Sequence, residues 1–371
     1  MNILALCLSP GRGGLELYVC RETHALAEKG HKMYLAVSGR GMLAPETSRH
    51  STGSIFLNPV NRFLPVLSAI KLAGFLKQND IKVLHIHWSK DLNLAVLAKV
   101  FSGLFGHTVC LIYTRHMGIT RRKKDVYHRF LYARVDKILA ISRQVQEQAR
   151  DFLPMQDKDI ELLYHGVPEG KSVDTDSCES LFEDSKRVRR EFNLVLFGRV
   201  EQGKGQHVLV NAIDILVKGG ADIGALVVGH VMDQAYYDKL TQSVQDRCLQ
   251  DHISFLDFME NPQAFMPCFD AVVLTTYCET FGLVLIEAMR AGVVVIGTDA
   301  GGVPEIIKHE KSGLLFAPGD EKELASCILK LSRDSQFTEQ LAKAGKARAD
   351  EEFSEDRHFS KLENSFLAVC H

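Results

Sequence analysis

Residues 278–292 read CETFGLVLIEAMRAG, and the block that follows, 293–296, reads VVVI. The apolar run 281–286 has the length and spacing of the first turns of a buried helix, and the β-branched block after it is a buried strand. A helix delivering the chain straight into an apolar strand is the repeating unit of a parallel α/β sheet. Two glutamates, Glu279 and Glu287, bracket the run. Ionised carboxylates are seldom buried without compensation. Glu287 lies between Ile286 and Ala288, so a solvated surface does not account for it, whereas a hydroxyl-rich ligand does.

The same alternation extends in both directions. Upstream, strand-length blocks at 194–197, 226–228, 253–255 and 271–275 accompany a helical pattern at 207–217. Downstream, Asp320 and Glu323 form an Asp-x-x-Glu pair that opens a terminal helical region. The N-terminal half carries its own series, with a strand at 3–8, a glycine-rich turn, and a helix at 15–29 closed by Gly30. Strands at 34–37, 83–86, 109–113 and 138–141 follow, with helices at 65–77 and 92–104. Between the halves, 169–190 is polar and rich in Ser and Asp, as an exposed linker would be. With 371 residues the chain exceeds what one hydrophobic core usually serves. The expectation is therefore α/β, with two doubly wound Rossmann-like domains facing across a cleft. Residues 1–166 form the first, 167–190 the linker or hinge, 191–353 the second, and 354–371 a terminal helical segment. Ligands in such sheets bind at the carboxyl ends of the strands.

Composition narrows the function. The chain is 46% hydrophobic and 24% charged with a net charge of −2, which gives no global reason to bind nucleic acid. Nine cysteines occur without a C-x-x-C pair, so neither a disulfide framework nor a zinc site is signalled, and a reducing cytoplasm fits. MNILALCLSP has no basic n-region and reads as a first strand rather than a signal peptide. No apolar run approaches the length of a membrane span, since 281–297 is interrupted by Glu287 and Arg290.

Residues 197–205, FGRVEQGKG, follow a strand and precede a helix, as a phosphate-binding loop does. Its ninth position is Gly205, where a nucleotidase needs Ser or Thr to hold magnesium. Arg199 and Lys204 flank the turn, which suits a diphosphate held without a metal; a helix-start glycine turn with two solvated cations fits the segment equally well. Near the glutamates, the N–H groups of Phe281, Gly282 and Leu283 lie where a helix begins and could receive phosphate or sugar oxygens. Glu279 would project toward a sugar, and Glu287 could bind a ribose diol. For either acid alone, a pair with an arginine such as Arg290 serves as well.

These segments resemble a known family. Glu279-x7-Glu287, Gly198-Arg199-x4-Lys204-Gly205, TDAGGVPEII at 298–307 and KSGLLFAPGD at 311–320 look like family-four retaining glycosyltransferases of the GT-B fold. PGRGGLE at 10–16 is similar to that family's glycine turn, with Gly13 and Gly14 in the glycine positions. The resemblance covers nearly the whole chain and is most specific in its C-terminal half. It implies that the C-terminal domain binds a nucleotide-diphosphate sugar and the N-terminal domain an acceptor, with retention at the anomeric carbon and no metal or other cofactor. Arg199 and Lys204 would neutralise the diphosphate, Glu287 would hold the ribose, and Glu279 the transferred sugar. The amides of Phe281, Gly282 and Leu283 would face sugar and phosphate, and Gly14 would let the N-terminal loop approach them. His116, in YTRHMG, matches a histidine that reaches the sugar, and 256–258, ending at Phe258, falls where the base is held. The last helix, near 358–369, usually crosses back to the first domain. Two departures are Thr275–Glu279, TTYCE in place of P-S-x-x-E, and Tyr164-His165-Gly166 in place of an asparagine-glycine hinge.

Other constellations carry less. His85 and His87 invite a metal, but strand-end histidines lining a cleft fit better in the absence of a third ligand nearby in sequence. Asp174-Thr175-Asp176 imitates a metal-binding D-x-D without a preceding strand. Arg115, Arg121, Arg122, Lys123, Lys124, Arg129 and Arg134 form a basic cluster interleaved with Tyr127, Phe130 and Leu131. It reads either as a solvated helix face or as a docking patch for anionic lipid. The expected protein is a cytoplasmic glycosyltransferase, peripheral on the inner face of the cytoplasmic membrane if that patch docks, acting on a glycan that is lipid-linked and destined for cell-surface polysaccharide or lipopolysaccharide. A P-loop nucleotidase, a sugar-nucleotide epimerase on the same fold and a non-catalytic sugar-nucleotide-binding protein are the alternatives.

Overall fold

The computed structural model describes the chain except residues 12, 40, 42, 44–49, 60, 62, 185–188 and 371. The chain divides into two units, Met1–Gly166 with Asp356–His371, and Val167–Glu355.

In the first unit a seven-stranded sheet has the order β3-β2-β1-β4-β5-β6-β7. Its strands are β1 (Asn2–Cys7), β2 (Lys32–Val37), β3 (Gly53–Phe56), β4 (Val83–Ile86), β5 (Cys110–Arg115), β6 (Lys137–Ala140) and β7 (Ile160–Leu162). Every pairing is parallel. β1 shows why the run NILALC suits a central strand: Leu4 and Leu6 enter one core with Leu84 and Leu111, while Ile3, Ala5 and Cys7 face the opposite layer. Side chains alternate across a strand, so a sheet covered on both faces needs an unbroken apolar run. The helix Gly14–Glu28 follows β1 and is closed by Gly30 in the left-handed region at φ +86°. The last helix, Glu355–Val369, sends Phe359, Leu362 and Phe366 into the core around Ile3, Val83 and Ile112.

The second unit repeats the design. β8 (Phe192–Phe197), β9 (Ile223–Val228), β10 (Ile253–Leu256), β11 (Ala271–Leu274), β12 (Val294–Thr298) and β13 (Leu314–Phe316) form a parallel sheet in the order β10-β9-β8-β11-β12-β13. Strand order reverses between β8 and β11, the point at which such sheets bind ligands. Asp320 caps the helix Glu321–Arg333 by accepting from the Lys322 and Glu323 amides, and Glu323 reaches back to the Ala317 amide at 2.7 Å. Both sheets are doubly wound, as the alternation of blocks implied. The strands not anticipated, β3, β7 and β13, are edge strands of three or four residues, too short to leave a periodic signature.

Two expectations fail in the stretch 167–190. It is not simply an exposed linker: it contains the helix Thr175–Asp184, whose Leu181 and Phe182 are buried, with Phe182 against Phe269 at a ring distance of 5.5 Å. Its start is also anchored in the second unit, where Val167 bonds the Phe353 carbonyl and Val173 the Ala264 carbonyl. The expectation of no disulfide is overturned as well, because Cys178 is bonded to Cys268. A bridge across a sequence separation of 90 leaves no spacing motif to read. Closing so long a loop restricts the unfolded chain, and removing such a bond costs about 2–5 kcal/mol. Reductant should therefore lower the unfolding midpoint by roughly 4–20 °C; calorimetry with and without it checks this, and coincident curves would contradict it.

Candidate functional site

In the second unit the turn after β8 is built by glycine geometry. Gly205 has φ +69°, and a Cβ on it would lie 2.3 Å from the Thr275 carbonyl oxygen. Only glycine lets the start of the helix Gln206–Lys218 sit against the carboxyl end of β11. The turn is tied from three sides. Gln206 is fully buried and donates to the Arg199 carbonyl at 2.8 Å, the Thr275 hydroxyl donates to the Lys204 carbonyl at 2.8 Å, and the Tyr277 amide bonds the Gly203 carbonyl at 3.3 Å. Thr275 stands where P-S-x-x-E has proline, and its hydroxyl bond to the Lys204 carbonyl is what that departure supplies.

The turn brings Lys204 to Glu279. Their side chains meet at 2.8 Å, each about one-fifth exposed. Glu279 is itself clamped, since the Gly302 amide donates to its carbonyl at 2.8 Å, and a Cβ on Gly301 would fall 2.1 Å from that oxygen. That contact explains the paired glycines in TDAGGVPEII. Gly282, at φ +102°, starts the helix Leu283–Arg290, so the N–H groups of the first turn open beside Glu279. Arg290 pairs with Asp350 at 3.6 Å. Glu287, one turn into the helix, is half-buried. Arg199 is 60% exposed and touches Glu201 at 3.0 Å, leaving it reachable from solvent.

At the carboxyl ends of β8 and β9, a cavity of about 240 Å³ is lined by Gly198, Arg199, Gly229, His230, Phe258 and Met259. Phe258 and Met259 also wall a larger cavity of about 600 Å³, whose far side is Ser177, Ser180 and Leu181 of the helix Thr175–Asp184. Thus Lys204 and Arg199, in the turn after β8, and Glu279, Gly282 and Leu283, after β11, come from adjacent strands, while Phe258 follows β10 and shares the smaller cavity with Arg199.

In the first unit, Gly13 and Gly14 start the helix Gly14–Glu28, and Glu16 caps it by accepting from the Gly13 amide at 2.8 Å. A Cβ on Gly14 would meet nothing within 4 Å. His116 follows β5 and is half-buried, with Nε2 3.2 Å from His87 Nδ1 and Nδ1 3.1 Å from His165 Nε2. Its ring nitrogens thus meet histidines from two other segments, and Tyr18 lies edge-on to the ring. His85 and His87 do not line a cleft as expected: they are buried at the end of β4 against Glu22, which is also fully buried. Glu22 Oε1 lies 2.6 Å from His85 Nδ1, and Glu22 Oε2 lies 2.9 Å from His87 Nε2. Among the described residues these three are the group placed to hold a metal. Ligand atoms around tetrahedral zinc lie roughly 3.3 Å apart, given bonds of about 2.0 Å. The closer spacing fits direct hydrogen-bond distances between ring nitrogens and a carboxylate. Sequence reasoning missed Glu22, although its i, i+4 spacing from Tyr18 and to Leu26 marks a buried helix face. Arg115 also leaves the basic cluster, since it is buried and bonded to Tyr113 and to the Met117 carbonyl.

Burial pushes His85 and His358 down to about 4, opposed only in part by Glu22 and by the Tyr164 carbonyl respectively. For Glu22, burial favours a raised value, but His85 and His87 outweigh it and hold the carboxyl well below the carboxylate range. The signs agree. Unfolded histidines take up protons near 6.5 whereas the folded rings do not until about 4, so stability present above pH 6.5 is lost as pH falls toward 4. Glu22 adds a further loss below 4.5. Each histidine contributes a slope of about 1.4 kcal/mol per pH unit in that window. Denaturant unfolding at pH 7, 6 and 5 should show falling stability, and a flat profile would contradict the buried assignments.

Residues 12–171 match the sequence family described as Glycosyltransferase Family 4, and residues 179–348 match Glycosyl transferases group 1. The chain is 25% identical to the N-acetyl-alpha-D-glucosaminyl L-malate synthase of Bacillus anthracis, across 97% of this chain and 95% of that one. It is 26% identical to the capsular polysaccharide biosynthesis glycosyltransferase CapM of Staphylococcus aureus, across 62% of each. Among solved structures, HepE of Anabaena in complex with UDP and glucose superposes with a TM-score of 0.83 at 21% identity, covering 99% of each chain. A glycosyltransferase of Rickettsia africae superposes with a TM-score of 0.87 at 19% identity, covering 99% of this chain and 98% of that one. At such identities the likeness of structure speaks to the fold.

Proposed function

The chain belongs to the family-four, group 1 glycosyltransferases of the GT-B fold, and on that premise we propose that it moves a sugar from a nucleotide-diphosphate donor to a glycan acceptor with retention and without a metal. One observation carries the reading: the 2.8 Å pair of Lys204 and Glu279 beside the first turn of the helix Leu283–Arg290. A donor would exchange this pair for its own groups. Its diphosphate takes Lys204, Arg199 and the amides of Phe281, Gly282 and Leu283, while hydroxyls of the sugar take Glu279. Glu287 holds the ribose diol, and the base lies by Phe258. Gly13 and Gly14 are the loop residues, and His116 the side chain, that the first unit offers the sugar. Positive charge and oriented amides at a leaving diphosphate act where charge develops, so no bound cation is required for that task. Retention follows a same-face path in which a leaving phosphate oxygen accepts the acceptor's proton.

The test is a thermal-shift screen against UDP, GDP and ADP sugars, followed by product analysis with the sugar that binds. A product with an inverted anomeric centre contradicts the mechanism, and epimerised donor formed without acceptor replaces the function. Support for a polysaccharide acceptor comes from CapM, named for capsular polysaccharide biosynthesis. A second reading, a small carboxylic acid as acceptor, is favoured by the relative matched over 97% of this chain, whose name joins its sugar to malate. Malate and oligosaccharide acceptors offered side by side separate the two.

A lipid-linked acceptor would suit the surface around the helix Val126–Tyr132. Val126 is 85% and Phe63 66% exposed, and Phe63 stacks on Tyr127 at 5.0 Å, which joins two apolar edges beside Arg121, Arg122, Lys123 and Lys124. Each cation near an anionic bilayer adds about 1 kcal/mol. Sedimentation should show binding to anionic vesicles that weakens with salt. Equal binding to neutral vesicles would remove the idea.

A further inference from the structure

The buried histidines of the first unit are joined in series to one anion. Glu22 Oε1 faces His85 Nδ1 at 2.6 Å and Glu22 Oε2 faces His87 Nε2 at 2.9 Å. A carboxylate only accepts. The first contact is an aligned hydrogen bond; the second meets the distance without full alignment, but an unprotonated nitrogen so close to the anion would be repelled. Both facing nitrogens therefore carry protons. A neutral ring has one N–H, so His87 Nδ1 is an acceptor, and His116 Nε2, 3.2 Å away, must hold the proton between them. His116 Nδ1 is then proton-free and accepts from His165 Nε2 at 3.1 Å. On the other branch His85 Nε2 accepts from the Thr114 hydroxyl at 2.7 Å.

The surroundings favour neutral rings. From the helix Gly14–Glu28, Tyr18 lies edge-on to His116 and to His165, and its hydroxyl meets His358 Nε2 at 2.8 Å. Arg21, on the same helix, and His358, on the last helix, both disfavour charge on His165, after burial itself. Burial first, and then the neighbouring histidines, do the same to His116. Glu22 is the anion these rings share, so the direction of the series is set at its buried end.

We propose that Glu22 is a positioning residue for sugar transfer: through His87 it holds His116 in the tautomer whose Nδ1 is proton-free, so that His116 accepts a hydrogen bond from a substrate hydroxyl that displaces His165. The proposal rests on the reading that places His116 at the sugar. His165 keeps that nitrogen occupied until substrate arrives, and the hydroxyl that replaces it is oriented by donating. Glu22, His87 and His165 touch no substrate in this scheme.

Ring nitrogen shifts of the histidine-labelled protein, measured at pH 7 without substrate, test the proposal directly. Protons on Nε2 of His87, His116 and His165 and on Nδ1 of His85 are expected. A His116 protonated on Nδ1, or on both nitrogens, overturns it. Glu22→Gln keeps the shape but can donate to His87 Nε2 and reverse the series. That variant should lose kcat by at least about tenfold, the scale of one oriented hydrogen bond, with the donor KM unchanged. Combining it with His116→Asn should add little further loss. A folded Glu22→Gln protein with the His116 tautomer reversed and full kcat overturns the proposal. If the variant does not fold, the wild-type ring spectrum decides alone. Failure of the wild-type protein to bind any nucleotide sugar would instead sink the reading of function, which the substrate-free spectrum does not touch.

Discussion

Lys204→Ala is expected to lower kcat/KM for sugar transfer by about 10²- to 10³-fold, the loss seen when one preorganised group facing a developing oxyanion is removed. The expectation comes from position: Lys204 stands at the turn after β8, 2.8 Å from Glu279 and beside the amides that open the helix Leu283–Arg290. Stability should hardly move. Both side chains remain about one-fifth exposed, and an ion pair so open to solvent is worth only about 0–1 kcal/mol. The thermal shift produced by nucleotide diphosphate should shrink along with activity. Steady-state kinetics and thermal shift on the same preparation check both halves. A variant within about threefold of wild type, a difference below 1 kcal/mol in barrier, would mean that the diphosphate is held elsewhere. A protein that only binds sugar nucleotides would lose affinity here but have no turnover to lose, so the pair of measurements also separates enzyme from binder.

Gly205→Ala is expected to damage the fold of the second unit. The new Cβ would lie 2.3 Å from the Thr275 carbonyl oxygen, and this neighbour is strand-end backbone rather than a flexible side-chain tip. The residue also sits at φ +69°, where alanine is disfavoured. Overlap in a packed region and left-handed strain each cost about 1–3 kcal/mol, so a total near 3–5 kcal/mol is expected. In a unit of this size that lowers the unfolding midpoint by roughly 6–20 °C. Gly14→Ala is the contrast, since its Cβ would meet nothing within 4 Å and should change stability by no more than about 0.5 kcal/mol. Calorimetry on the two variants checks the difference. Equal midpoints would show that the turn can yield without loss.

What could be read from residue order alone is explained by range. The turn at 197–205 and the helix start at 281–283 are local objects, whose glycines and cations announce themselves within ten residues. The central strands were legible because burial on both faces demands an unbroken apolar run, as in VVVI at 293–296. Edge strands such as β7, with three residues, carry too few positions for a pattern. Partnerships were not legible. Nothing in a helix of mixed polarity says that Glu22 faces His85, or that Cys178 meets Cys268 across a separation of 90. His165 read only as part of a departure from an asparagine-glycine hinge, because its neighbours His116 and Tyr18 come from distant segments. Polarity misled at 169–190 for a related reason: Leu181 and Phe182 are apolar residues in a charged stretch, and they dock it together with the Cys178–Cys268 bond.

The central claim is that Lys204, Glu279 and the first turn of the helix Leu283–Arg290 receive a nucleotide sugar. A crystal structure with the nucleotide sugar that gives the largest thermal shift tests it most directly. The diphosphate is expected within about 2.7–3.2 Å of Lys204 Nζ and the Gly282 and Leu283 amides, with Glu279 accepting from a hydroxyl of the sugar. A donor bound with Lys204 still paired to Glu279, and with both turned away from it, would contradict the account.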